Sequence, residues 1–467
     1  MKNQSTLILF LCCVISRIYT SIYYIEDIDS LRFALSIADH FDLSKFQPHF
    51  PGYPVFCFIV KIIYLFTGNI GISFSIVGGI STFFIILYSL KILNLNIDSS
   101  SGIFSILILF FNPMIWILGN RYMPDLIGLA MFVCIIYFLL INTNKKIGFL
   151  LVGLLFGTRL SFFPLIILPL LYTFKNQQNK IQLFNYLIFG CFIWLIPMMY
   201  ITGFNEIIAV ASKHTIGHFT EYGGTVFTES NWIKRIILCL HTIWSDGLGG
   251  YWFGRSLLTM FYSILFIPLL YTGFKNYNIN NLNVNIIYNS VFIYIIWIMF
   301  FQNIIYKSRH VLPVVFVVLL LVCLGIKYII NNFSNYKKLY SAYLITIIMS
   351  LLFITGTLSF QHKDHTAISQ LSKHLSSNKT QMTIISIPLI NYYLKSHSVK
   401  ADFINIKNED ELFNIDFDSI DNDFYVVGDF KKYFKTNFSI ITEKIFYHNP
   451  YVNRMWSTIE LHYVKNK

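Results

Sequence analysis

The sequence predicts a polytopic α-helical membrane protein of about 11 transmembrane helices with a small C-terminal extracytoplasmic α/β domain. Three observations carry this. With 55% hydrophobic residues, 46 of the 467 being Phe and 30 Tyr, the chain has more apolar surface than a water-soluble interior can hold. Its apolar runs recur at about bilayer length and without the strand alternation of a membrane β-barrel. The formal charge of +12 comes from lysines that lie mostly in short connectors between those runs, a topology signal and not a nucleic-acid surface.

The first run, 5–23, is a retained helix with a cytoplasmic N-terminus, because Arg17 interrupts it and no small-x-small cleavage site follows. Further spans are expected at 70–93, 102–119, 125–142, 146–158, 161–174, 181–202, 257–274, 284–303, 311–330 and 338–358. In this arrangement Lys91, Lys145, Lys146, Lys175, Lys180, Lys275, Lys327, Lys337 and Lys338 all face the cytoplasm. Tyr53–Phe66 is too short to span comfortably, follows a proline-rich turn and reads as a helix in the outer interface.

These segments make a transmembrane domain of residues 1–359 with long outer loops at 24–69 and 203–256, followed by a soluble domain at 360–467. In the latter, MTIISI, ADFINI, DFYVVG and TIELHYV read as strands, with LSKHLS and PLINYYLK as short helices between them. The seven cysteines form no CxxC and no metal spacing, so no disulfide framework is expected.

Chemistry concentrates in the first outer loop. Glu26, Asp27 and Asp29 sit at the mouth of the first helix, and Leu31, Phe33, Ala34, Ile37 and Phe41 give the following segment an apolar face that pins them at membrane level. Arg17, Arg121, Arg159 and Arg309 are expected on that same side, opposite the lysine connectors. Arginine's planar donors suit phosphate oxygens and its charge survives poor hydration, so the pattern fits a base beside a phosphate leaving group anchored by a lipid tail. His49 and His310 read either as hydrogen-bonded interface residues or as contacts to that phosphate.

His214 and His218 are spaced i,i+4 with Glu221 beyond, but no third ligand and no HExxH accompany them. No metal site is expected; a divalent ion is required by no motif. Tyr222-Gly223-Gly224-Thr225 and Gly247-Leu248-Gly249-Gly250 lack a preceding strand, so they read as flexible turns beneath an acceptor site and not as nucleotide loops.

The ordered set resembles the GT-C superfamily of polytopic glycosyltransferases, in the pattern of bacterial protein O-mannosyltransferases, lipid A aminoarabinose transferases and related lipopolysaccharide glycosyltransferases. Asp29-Ser30-Leu31-Arg32-Phe33-Ala34 is similar to that family's D-E-x-R-Y-A motif, with Ser30 where a glutamate is common and Asp27 supplying a second acid upstream. Pro48-His49-Phe50-Pro51-Gly52-Tyr53-Pro54, Arg121 with Asp125, Arg159, and Arg309 with Pro313 resemble its later landmarks over about residues 1–330. The resemblance implies inverting transfer of a sugar from a polyprenyl-phosphate donor to a hydroxyl of a glycolipid, glycan or protein, at the outer face of the bilayer. Asp29 is then the base, with Asp27 or Glu26 positioning the acceptor. Arg121, Arg159 and Arg309, with His310 and Arg17, face the donor phosphate; His49, Asp125, Tyr222 and His218 fall to the acceptor or its loops. A transporter or lipid-linked-sugar flippase is the competing class, but it predicts mid-membrane charges and repeated halves, and neither is visible.

Overall fold

The computed structural model describes residues 2–277, 282–304, 307–377, 382–406, 411, 424–428 and 438–466. They form two compact units, one of Met1–Ile22 with Arg32–Phe360, the other of Tyr23–Leu31 with Gln361–Lys467. The acidic segment thus groups with the C-terminal residues and not with the helices that flank it in sequence.

The first unit is helical. Among the described residues, seven runs are long and apolar enough to cross a membrane: Ile70–Ile92, Lys145–Lys175, Lys180–Thr202, Leu257–Lys275, Leu282–Phe301, Ser308–Asn332 and Ser334–Gln361. Gln4–Tyr19, Pro54–Thr67, Ser100–Phe110 and Asp125–Ile141 are apolar but shorter. The expected span at 102–119 breaks at Asn112-Pro113, where proline's missing N–H ends the ladder and Asn112 caps the six-residue helix Pro113–Leu118 through Ile115 N. The expected pair at 146–158 and 161–174 is one run interrupted at Arg159, whose φ of −154° and ψ of 79° turn the chain into the 3-10 segment Leu160–Phe162.

Only 11% of the apolar window of Lys180–Thr202 is buried against 67% for Ile70–Ile92, so the former lies at the edge of the bundle and the latter inside it. The central helix is approached closely by Lys2–Tyr19 because Gly79 has no side chain: a Cβ there would lie 2.6 Å from Val14 Cα. The end of Lys2–Tyr19 is then fastened by Asn120, whose amide donates to Thr20 O at 2.9 Å, and by Tyr122, whose hydroxyl donates to Ile22 O at 2.8 Å. Tyr53–Phe66 is helical as expected, over Pro54–Thr67. Within 203–256, the helix Trp232–His241 turns Arg235 and Cys239 inward and exposes Trp232, Ile233, Ile236, Ile237 and Leu240, an apolar stripe of the kind an interfacial helix carries.

In the second unit, β1 (Thr383–Ser386), β2 (Asp402–Asn405), β3 (Phe424–Val427), β4 (Phe438–Tyr447) and β5 (Thr458–Asn466) form a mixed sheet in the order β2-β1-β3-β5-β4. β1 pairs in parallel with β2 and β3, while β5 is antiparallel to β3 and β4. The helix Pro388–Ser396 makes the β1-to-β2 crossover that a parallel pair needs. β4 is an addition to the strands read from sequence.

Candidate active site

In the helical unit, Asp125 opens the helix Asp125–Ile136, where a carboxylate suits the positive end of the helix dipole. It is fully buried and gathers two arginines, Arg159 Nη2 at 2.8 Å from Oδ1 and Arg309 Nε at 3.6 Å from Oδ2. Arg159 is placed by the break that ends its helix, and Arg309 by the 3-10 turn Ser308–Val311, which Pro313 leads into the helix Leu312–Asn332. His310 shares that turn; its carbonyl accepts from Tyr294 Oη at 3.1 Å. Arg159 Nε and His310 Nδ1 are among several buried polar atoms of the described residues with no hydrogen-bond partner.

Gly128, one turn along from Asp125, is what lets Arg159 come this close: a Cβ at 128 would sit 2.9 Å from Arg159 Cβ. Gly128→Val is therefore expected to push Arg159 off Asp125 and to destabilise the fold by about 1–3 kcal/mol, read as a lowered Tm of the purified protein.

Aromatic side chains continue from Arg159. Its guanidinium lies 5.8 Å from the Tyr53 ring and 5.7 Å from that of Phe162. Tyr53 Oη is 3.2 Å from His49 Nε2, and His49, His214 and His218 stack in succession with centroids 5.6 and 6.4 Å apart. His218 Nε2 lies 2.8 Å from Phe301 O, and burial lowers the His218 pKa, against the raising effect of that bond, so the neutral ring donating to Phe301 is favoured. Among the described residues no group of three His, Cys, Asp or Glu side chains is placed to hold a metal ion. Tyr222 ends the π-helical turn His218–Tyr222; its side chain lies outside the described residues.

Two further arginines have other surroundings among the contacts observed. Arg17 is fully buried with its guanidinium 3.8 Å from the Trp116 ring and Nη2 donating to Phe110 O at 3.3 Å, an environment that uses its charge for packing. Arg121 lines a small cavity with Phe56, Phe74, Ser81 and Leu126, whose walls include neither Arg159 nor Arg309. Arg235, which no sequence pattern singled out, is fully buried and donates to the carbonyls of Gly224, Met299 and Gln302, tying the segment 203–256 to the one that leads toward Arg309.

In the second unit the three acids have different surroundings. Glu26 is completely buried, with Oε1 2.8 Å from Nε2 of an equally buried His362. Asp27 is also buried; Oδ1 accepts from Ser30 N at 2.9 Å, capping the helix Ile28–Ala38, and Oδ2 accepts from Asn453 Nδ2 at 3.1 Å. Asp29 lies in the first turn of that capped helix, 3% exposed. The segment is held further by Tyr24 Oη donating to His362 O, Thr366 Oγ1 to Glu26 O and Tyr393 Oη to Ile25 O. His362, Asn453 and Tyr393 were invisible to motif reading, because their partners lie more than 300 residues away in sequence.

No protein-family model matches the chain, and no curated protein does. Among solved structures it is similar to ArnT from Cupriavidus metallidurans bound to undecaprenyl phosphate, at a TM-score of 0.52 and 10% identity, covering 98% of this chain and 97% of that one. The apo state of the same ArnT matches at a TM-score of 0.51 and 11% identity, over 99% and 98%. At that identity the likeness shows the fold alone, one shared with ArnT over nearly the whole chain. With seven apolar helices of spanning length, the chain is a multi-pass integral membrane protein.

Proposed function

We propose that the chain is an inverting glycosyltransferase that moves a sugar from a polyprenyl-phosphate donor to an acceptor hydroxyl on the extracytoplasmic side, with its N-terminus in the cytoplasm. The observation that carries the proposal is the buried group of Arg159 and Arg309 on Asp125, in a chain with the ArnT fold. Two guanidinium forks converging on one place match the several oxygens of a phosphate and keep their charge when buried. Asp125 holds the two forks in register, and Arg121 is likewise assigned to the donor phosphate.

In the reaction Asp29 takes the proton of the acceptor hydroxyl as its oxygen attacks the anomeric carbon. The bond from that carbon to the phosphate oxygen breaks, and its electron pair leaves with the phosphate, where the arginines stabilise the added charge. Attack opposite the leaving group inverts the anomeric centre. His49 and His218, joined through His214, are assigned to the acceptor, as is the loop at Tyr222.

Mass spectrometry of surface glycans and membrane lipids, with and without the protein, tests this. Loss of the protein is expected to remove one sugar from a surface glycan, glycolipid or glycoprotein while the corresponding polyprenyl-phosphate sugar accumulates. Unchanged profiles of both would sink the proposal.

A further inference from the structure

The Asp27 carboxylate is oriented from the far end of the chain. His448 Nδ1 accepts the backbone N–H of Ala367 at 3.0 Å, so its proton sits on Nε2, which donates to Asn453 O at 2.8 Å. Asn453 Oδ1 accepts from Met455 N at 2.9 Å, which leaves only the amide Nδ2 to face Asp27 Oδ2 at 3.1 Å. Asp27's other oxygen caps the helix in whose first turn Asp29 lies. Asp27, Asn453 and His448 are all under 10% exposed, so water does not substitute for a lost bond.

We propose that Asn453 is a positioning residue for transfer, acting through Asp27 to fix the start of the helix that presents Asp29, and that Asp27 is part of this support and not itself the base. This rests on the assignment of Asp29 as the base. The pair has one donor and one acceptor, and it tolerates their exchange: an asparagine at 27 still caps Ser30 N with its oxygen and turns its amide to the partner, while an aspartate at 453 still accepts from Met455 N.

The exchange gives the test, with the full-length protein in membranes, undecaprenyl-phosphate sugar prepared from native lipid as donor, and release of undecaprenyl phosphate as readout. Asn453→Asp sets two carboxylates face to face. Transfer is expected to fall at least about tenfold at neutral pH and to recover as acid restores one proton to the pair, with an inflection above the ordinary carboxylate range of about 4. Asp27→Asn is also expected to fail, since two amides then oppose each other. The double variant Asp27→Asn/Asn453→Asp is expected to recover most of the wild-type kcat at neutral pH, without the acid dependence.

A double variant no better than the single ones overturns the proposal, as does an Asn453→Asp enzyme that matches wild type across the pH range. Should the double variant fail to accumulate, Asn453→Ala decides: lowered kcat at unchanged donor KM supports the positioning role, and unchanged kcat refutes it. Asp29→Asn is run alongside. Retained transfer there removes Asp29 as the base, a failure separate from any result of the exchange.

Discussion

Asp29→Asn is expected, on the proposed function, to reduce transfer by about a hundred- to ten-thousand-fold while the protein still inserts and folds. The substitution keeps the side chain's shape and its place in the first turn of the helix Ile28–Ala38, and removes the negative charge and with it the ability to take a proton. Asp27 and Glu26 do not replace it, because one carboxylate is shared between Ser30 N and Asn453 and the other sits against His362. Single-turnover assays with the native lipid-linked donor, beside a binding titration with undecaprenyl phosphate, separate lost chemistry from lost binding. Transfer at the wild-type rate would return the role of base to one of the other two acids.

The second large effect is at the arginines, and the two differ. Arg309 meets Asp125 at 3.6 Å and Arg159 at 2.8 Å, so Arg159 is the closer partner of the buried carboxylate. Arg309→Ala leaves that ion pair in place and removes the fork proposed above to hold the phosphate. It is expected to lower kcat/KM for the donor by about ten- to a hundredfold with acceptor KM unchanged. Arg159→Ala instead strips a fully buried carboxylate of its near partner, at a cost of about 3–5 kcal/mol, so it is expected to lower the yield of folded protein as well as donor use. A selective loss of acceptor use in Arg309→Ala, with donor KM intact, would move that arginine out of the phosphate site.

Much of this was legible in the chain because lipid imposes a long, simple pattern. Runs such as Ile70–Ile92 and Lys180–Thr202 end within a residue or two of their apolar boundaries, since hydrophobic length and helix length are the same constraint in a bilayer. Legibility ended where local chemistry overrides length. Asn112-Pro113 sits inside an apolar run that reads as one span, yet proline and an asparagine cap end one helix and start another. β4 was missed because Glu443-Lys444 interrupts its alternation, and the register shift between Thr442 and Lys444 shows where the strand absorbs the interruption.

The site shows the same division. Arg159, Arg309 and Asp125 could be marked as charges worth explaining, because a charge beside apolar runs needs a reason. Nothing local says that the three meet, or that Arg17, equally conspicuous, is spent on Trp116 and Phe110. The supports of the acidic segment were hidden altogether. His362 and Asn453 are ordinary polar residues in an ordinary polar stretch, and only folding brings them to Glu26 and Asp27.

The grouping of Tyr23–Leu31 with Gln361–Lys467 sets an order of events during synthesis. Glu26 leaves the ribosome 336 residues before His362, and Asp27 leaves 426 residues before Asn453. At about 5–20 residues per second, the helices between have tens of seconds to insert before either acid meets its partner. A chain interrupted before Asn453 keeps the cap of Asp27 on Ser30 N but lacks the amide that holds the other oxygen of that carboxylate. Residues translated later thereby complete the hydrogen bonding of a motif translated hundreds of residues earlier.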